Sequence, residues 1–236
     1  MLQFITVNTK QKAVDQGVAQ HIIARFTQMD GVSQLPHLPE WLGRMVEGGH
    51  DDEGLKIAKA LNQAEGSPWN TRIQFADEDK RPEHVITQKT LVGRLKNIIL
   101  NKNHPYANLP LTDDKRIVVL INYWCAVHDV FVGDQLPESG KACPIVYKYS
   151  GVYFFLSLLA PMLQVLAQRM DFSTEAFAQV FGEAQEHLES HGMIAMDPEF
   201  WKPGNEAARM NRSGLDPLVS EFARAIKLVG SQGVTL

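Results

Sequence analysis

A chain of 236 residues, 44% apolar and 21% charged with a formal net charge of -4, has the composition of a folded globular protein. That excludes a disordered chain and one drawn to nucleic acid by its overall charge, so any DNA contact needs a local basic face. Cys125 and Cys143 are the only cysteines and form no C-x-x-C pair, which argues against a disulfide scaffold or a zinc site and points to a reducing, cytoplasmic setting.

Met1 to Phe4 lacks the basic region and apolar core of a signal peptide. Residues 2–7 read as a strand, since Phe4, Ile5, Thr6 and Val7 are β-formers. A strand in first place must find a partner, and the next convincing one is far along the chain. Val14, Val18, Ile22 and Phe26 recur at four-residue spacing and predict a helix over 13–29. Gly31 and the Pro36/Pro39 pair end it, and 37–49 reads as a loop with a short turn around Trp41 and Met45. Asp51 and Asp52 are expected to cap the next helix, which carries Leu55, Ala58 and Leu61 on one face.

Ser67-Pro68-Trp69-Asn70 predicts a turn, and Arg72 to Phe75 a short strand. Asp77 to Pro82 is a charged loop. His84-Val85-Ile86 reads as extended before Thr87 opens a helix with Leu91, Leu95, Ile98 and Ile99 as its inner stripe. Lys89, Arg94 and Lys96 lie around the polar remainder. Thr112, Asp113 and Asp114 start a long helix that Gly133 stops.

Residues 135–150 read as a surface linker. Val152 to Leu166 is the most apolar window, but it falls short of the roughly 20 residues a membrane span needs, and it reads as a buried helix. Ser173 or Thr174 caps a helix with Phe177, Val180, Phe181, Ala184 and Leu188 inward and Gly192 as its stop. Residues 197–214 read as irregular, and Asp216-Pro217 as the cap and first residue of the last helix. The predicted class is α+β and mainly helical.

Asn8, Lys10, Gln11 and Lys12 stand just before a helix, where amides, ammonium groups and free N–H donors can hold an anion. The alternative is a solvated turn capped by Asn8. His187 and His191 share a helix face at i, i+4, as metal ligands can, but lack the H-E-x-x-H order. Asp51 to Glu53 and the Asp113/Asp114 pair read as acidic first turns, so no metal site is expected. Lys89, Arg94, Lys96, Lys102, Lys115 and Arg116, with His104 and Tyr106 between them, form a local positive excess suited to a phosphate backbone. The alternative is the polar face of two helices. Cys125 reads as a buried structural thiol.

Residues 4–14, Phe-Ile-Thr-Val-Asn-Thr-Lys-Gln-Lys-Ala-Val, resemble the F-x-x-I/V-N-x-x-Q-x-x-V segment of DGQHR-domain, DndB-like proteins of DNA sulfur modification systems. Leu61-Asn62 with Ser67-Pro68-Trp69 and Arg72-Ile73 resembles that family's "LN…SP-aromatic…(R/K)I" stretch, and Ile86 to Leu91 its next helix opening. The resemblance covers residues 4–100 and becomes a general helical similarity beyond about 110. The name motif, Asp-Gly-Gln-His-Arg, is absent. In the family it belongs to a ParB/sulfiredoxin-like α/β unit that binds nucleotide or phosphate.

The resemblance implies that residues 1–14 are the closing strand and N-x-x-Q segment of a truncated unit of that kind. Residues 15–236 would then be a helical C-terminal domain. It also implies an accessory or regulatory component of a DNA-modification (phosphorothioation-like) or phage-defence system. The expected partners are DNA and other modification or defence proteins, with no membrane, and ATP is expected only in a full-length protein. Asn8 and Gln11, with their neighbours Lys10 and Lys12, would rim the nucleotide or phosphate pocket, and Lys89, Arg94, Lys96 and Arg116 would meet DNA. The chain alone is expected to be inactive. Two alternatives stay open: a fragment of a ParB/sulfiredoxin-like ATPase or nuclease, and a helical protein-interaction module.

Overall fold

The computed structural model describes residues 50–133, 142–193 and 196–232, and among these it has seven α-helices and one two-stranded sheet. The predicted strand at 2–7, the helix over 13–29 and the candidate residues Asn8, Lys10, Gln11 and Lys12 lie outside the described residues. The coarse expectation, a mainly helical α+β chain, holds.

Helix α1 (His50–Gln63) takes Asp51 and Asp52 into its body, so they are not its cap. It buries Leu55, Ile57, Ala58 and Leu61. The chain then turns through the segment whose spacing carried the second part of the family resemblance, and several of its residues have a structural task. The Asn62 side-chain oxygen accepts from the Ile73 N–H at 2.9 Å, and the Asn70 amide donates to the Ala64 carbonyl at 3.1 Å. Ser67 Oγ accepts from the Trp69 N–H. Trp69 itself is fully buried, edge-on to Trp124 and Tyr147 with ring centroids 5.0 and 5.1 Å away. The stretch closes α1 onto the first strand.

Strands β1 (Ile73–Gln74) and β2 (Ile86–Thr87) pair in parallel, Ile73 against Ile86 and Gln74 against Thr87. Parallel strands need a crossover, and here a helix-free loop over 75–85 provides it. His84 pins that loop: its Nδ1 accepts from the Arg81 N–H at 3.0 Å, while Glu78 turns inward onto the Phe75 N–H.

Helix α2 (Gln88–Ile98) starts at Thr87 as expected, with the Thr87 hydroxyl accepting from the Thr90 N–H. Its inner face is wider than predicted. Leu91, Val92, Leu95 and also Arg94 are buried, whereas Ile98 is only half-buried. Helix α3 (Asp113–Phe131) follows, its end marked by Gly133 at a φ of 73°. The predicted linker is shorter than read, because a 3₁₀ turn over Ile145–Tyr147 leads directly into α4 (Tyr149–Leu166). Gly151 permits that junction: a Cβ there would lie 2.1 Å from the Ile145 carbonyl oxygen.

Helix α4 is the centre of the array. It is long and apolar enough to cross a membrane, but α2, α7 and the 3₁₀ turn pack around it and it buries Val152, Phe154, Phe155, Leu158, Leu159 and Met162. Helix α5 (Thr174–Ser190) is capped by Ser173, packs on α3 and α7, and buries the five residues predicted. A short helix α6 (Glu206–Arg209) precedes α7 (Arg212–Gln232).

The start of α7 corrects the sequence reading. Asn211, not Asp216, accepts from the first-turn N–H of Gly214, and Pro217 sits inside the helix. Pro217 cannot donate to the Ser213 carbonyl, and Ser213 is exposed, so water can take the place of that bond. Asp216 is thereby released to accept from the Tyr153 hydroxyl on α4.

Candidate functional site

The four residues expected to meet DNA do not form one exposed face. Lys89 is exposed on α2, and Lys96 is half-buried on the same helix. Arg116 is tied to Asp113 and donates to the Ala107 carbonyl at 2.8 Å, within a cluster where Lys56 also reaches Asp113 and Asp114. Arg94 is 7% exposed. The helical period explains it: at about 3.6 residues per turn Arg94 lies roughly 140° around the helix from Lys89, in the α2–α4 seam. Tyr106, expected between the basic residues, is buried, and His104 is half-buried, with Nδ1 accepting from the Tyr106 N–H at 3.1 Å. Burial pushes the His104 imidazole down to about 4, so it stays neutral where a phosphate would want a cation.

The structure instead assembles a cleft where β2, the start of α2 and the start of α4 meet. It encloses about 620 Å³, and its cationic lining is Lys80, Arg81 and Lys148. Thr87 and Thr90 present the N-terminal turn of α2 to it, and Tyr149 forms a wall. No carboxylate lines it. Among the described residues no ion pair takes Lys80, Arg81 or Lys148. Of the acidic members of the 75–85 loop, Glu78 faces Phe75 and, at 3.8 Å, the buried His84 ring, and Asp77, Asp79 and Glu83 are not among the lining residues. Three cations and the positive end of a helix around one volume have the chemistry to hold an anion, and the volume lies in the range of small-ligand pockets.

Behind the cleft stands a stack of cations and rings. The Arg94 guanidinium lies 3.5 Å from the centroid of Tyr149 and 5.1 Å from that of Tyr153, and Arg212 covers Tyr153 at 4.9 Å. Arg94 Nε and Nη2 are buried without a hydrogen-bond partner. Burial first, and then the neighbouring Arg212, pull the Arg94 guanidinium below its ordinary value, while Tyr149 and Tyr153 oppose that. A guanidinium prefers the face of an aromatic ring to bare hydrocarbon, so the tyrosines partly replace a counter-ion.

The other candidates are structural. His187 and His191 stack with centroids 4.2 Å apart, and His191 Nδ1 is 2.7 Å from the His187 carbonyl, so one ring nitrogen is engaged with backbone. Among the described residues no group of three His, Cys, Asp or Glu side chains is placed to hold a metal. Cys125 is half-buried, not fully buried, and its thiol donates to the Gly66 carbonyl. Burial pushes both cysteine thiols up to about 11, away from thiolate chemistry.

Sequence reasoning passed over Lys80, Arg81, Lys148 and Tyr149 because they lie in segments read as a charged loop and a linker. The Lys80-Arg81 pair was a visible signal; its meeting with Lys148 was not. Comparison with known proteins finds no match among family models, curated proteins or solved structures.

Proposed function

We propose that this chain is a nucleic-acid-associated accessory protein that grips a phosphate backbone in the cleft at the α2–α4 seam. The observation that carries the reading is the cleft's lining: Lys80, Arg81 and Lys148 converge there with no carboxylate among them. Side chains of that kind, at the positive end of a helix, bind phosphate and carry no base sequence information. The net charge of -4 makes this a short-range grip without long-range steering. A place in a DNA-modification or phage-defence system is the role that the resemblance over residues 4–100 suggests, and the phosphate-binding cleft suits it.

The test is oligonucleotide binding as salt is raised. Displacing counter-ions with three cations on a single strand should give a slope of log K against log salt of about -2. Replacing Lys80, Arg81 and Lys148 together by glutamine should abolish that slope, while Lys89→Gln should leave most of it. Salt-independent binding, or full binding by the triple variant, would overturn the reading.

A further inference from the structure

Two features, one behind the cleft and one in its wall, are unexplained by phosphate binding alone. The first is Arg94, a cation 7% exposed with two donor nitrogens unpartnered. Burying a charge without a carboxylate is unfavourable, and stacking on tyrosine rings offsets only part of that. The second is Tyr149, 59% exposed and, among the described residues, the one aromatic among the large apolar side chains standing in solvent. One side of its ring is covered by the Arg94 guanidinium at 3.5 Å, and the ring walls the cationic cleft. An exposed aromatic would normally move among rotamers. This one is backed by a buried planar group, which fixes the ring's plane and leaves its outer side open.

We infer that Tyr149 is a stacking platform for one unpaired base, with Arg94 as its backing and Lys80, Arg81 and Lys148 holding the adjoining phosphates. The ligand class is single-stranded nucleic acid, or a strand with a base turned out of its stack. This rests on the phosphate-binding reading above and deepens it. A base on the open side of Tyr149 buries the exposed ring, and a phosphate in the cleft supplies the negative charge that the buried guanidinium lacks. Bases within a duplex are stacked on one another and present no face to the ring. Base–aromatic stacking is tolerant of sequence, because every base has a face to offer. Arg94 touches no base in this arrangement and is a positioning residue.

Three fluorescein-labelled probes of equal length test this on the full chain: oligo-dT, the same strand made abasic, and a duplex. The unaltered protein is expected to prefer oligo-dT to both others. Tyr149→Ala should weaken oligo-dT binding about tenfold or more and leave abasic-strand binding unchanged, whereas Tyr149→Phe, which keeps the ring, should bind as the unaltered chain does. Equal binding of oligo-dT by Tyr149→Ala and the unaltered protein, or no preference over duplex, overturns the stacking platform. If the triple cation variant loses binding while Tyr149→Ala does not, only the platform fails. If the triple variant keeps full binding, or the unaltered chain binds no probe, the phosphate-binding reading fails and takes the platform with it.

Discussion

The two sides of helix α4 solve opposite problems. On one side Phe155 meets Phe131 and Trp201 at centroid distances of 4.9 Å each, with Phe154, Phe181 and Trp124 around it. The Tyr123 hydroxyl donates to the Phe155 carbonyl across that core. It is apolar and aromatic and holds no charge, although the Trp124 Nε1 is buried there without a partner. On the other side Tyr149 and Tyr153, one turn apart, receive the buried guanidinium of Arg94 with no carboxylate against it. The first side is what folding alone would select. The second keeps an unfavourable group that a fold has no use for, and such departures concentrate where a protein does something.

The largest expected effect breaks the first side. Phe155→Ala should lower stability by about 3–5 kcal/mol, read as a shifted urea midpoint with unchanged slope. A loss under about 1 kcal/mol would mean that the aromatic core does not hold the helices together.

Arg94→Met sharpens the contrast, because it fills similar volume without charge. It should leave stability within about 1 kcal/mol of the unaltered chain or raise it, since removing an uncompensated buried charge relieves desolvation. A loss near about 3 kcal/mol, the scale of breaking a buried ion pair, would show that the guanidinium has a counter-charge in the folded chain.

The smallest expected effect is one of pH, away from both sides of α4. His104 is held neutral: its Nδ1 accepts from a backbone N–H, its Nε2 is buried without a partner, and its pKa falls from 6.5 to about 4. Between those values the unfolded chain binds the proton and the folded chain does not. The His104 contribution is therefore complete above pH 6.5, declines as pH falls through the window, and levels off below about 4. Urea midpoints across that window should show the decline in the unaltered protein and a shallower one in His104→Gln. Identical pH dependence in both would dismiss His104 as its source.

Much of the helical framework was legible in the residues. The five inward positions of α5, the Thr87 start of α2 and the glycine stop of α3 all follow from local spacing and capping. Errors fell where a local signal had a competing tertiary use. Asp216-Pro217 looks like a helix start, but Asn211 caps a turn earlier and Asp216 serves Tyr153 instead. The polar remainder of α2 was read as a surface because arginine is seldom buried, yet Arg94 is. Of the candidate site, only the chemistry of single residues was readable. Lys80 and Lys148 are far apart in sequence, and nothing in either segment states that they meet.

By itself the sequence determined the class of the fold, most of the helix ends and which residues had to leave water, since those follow from periodicity, capping and hydrophobicity within a few turns of chain. Only the tertiary structure decided which cations are spent on neighbours, as Arg116 is on Asp113, and which converge in the cleft. It also decided that Tyr149 stands open in solvent with a buried arginine at its back. The physical reason is that a charge's role depends on what faces it across the seam between two helices, and that neighbour comes from a distant part of the chain.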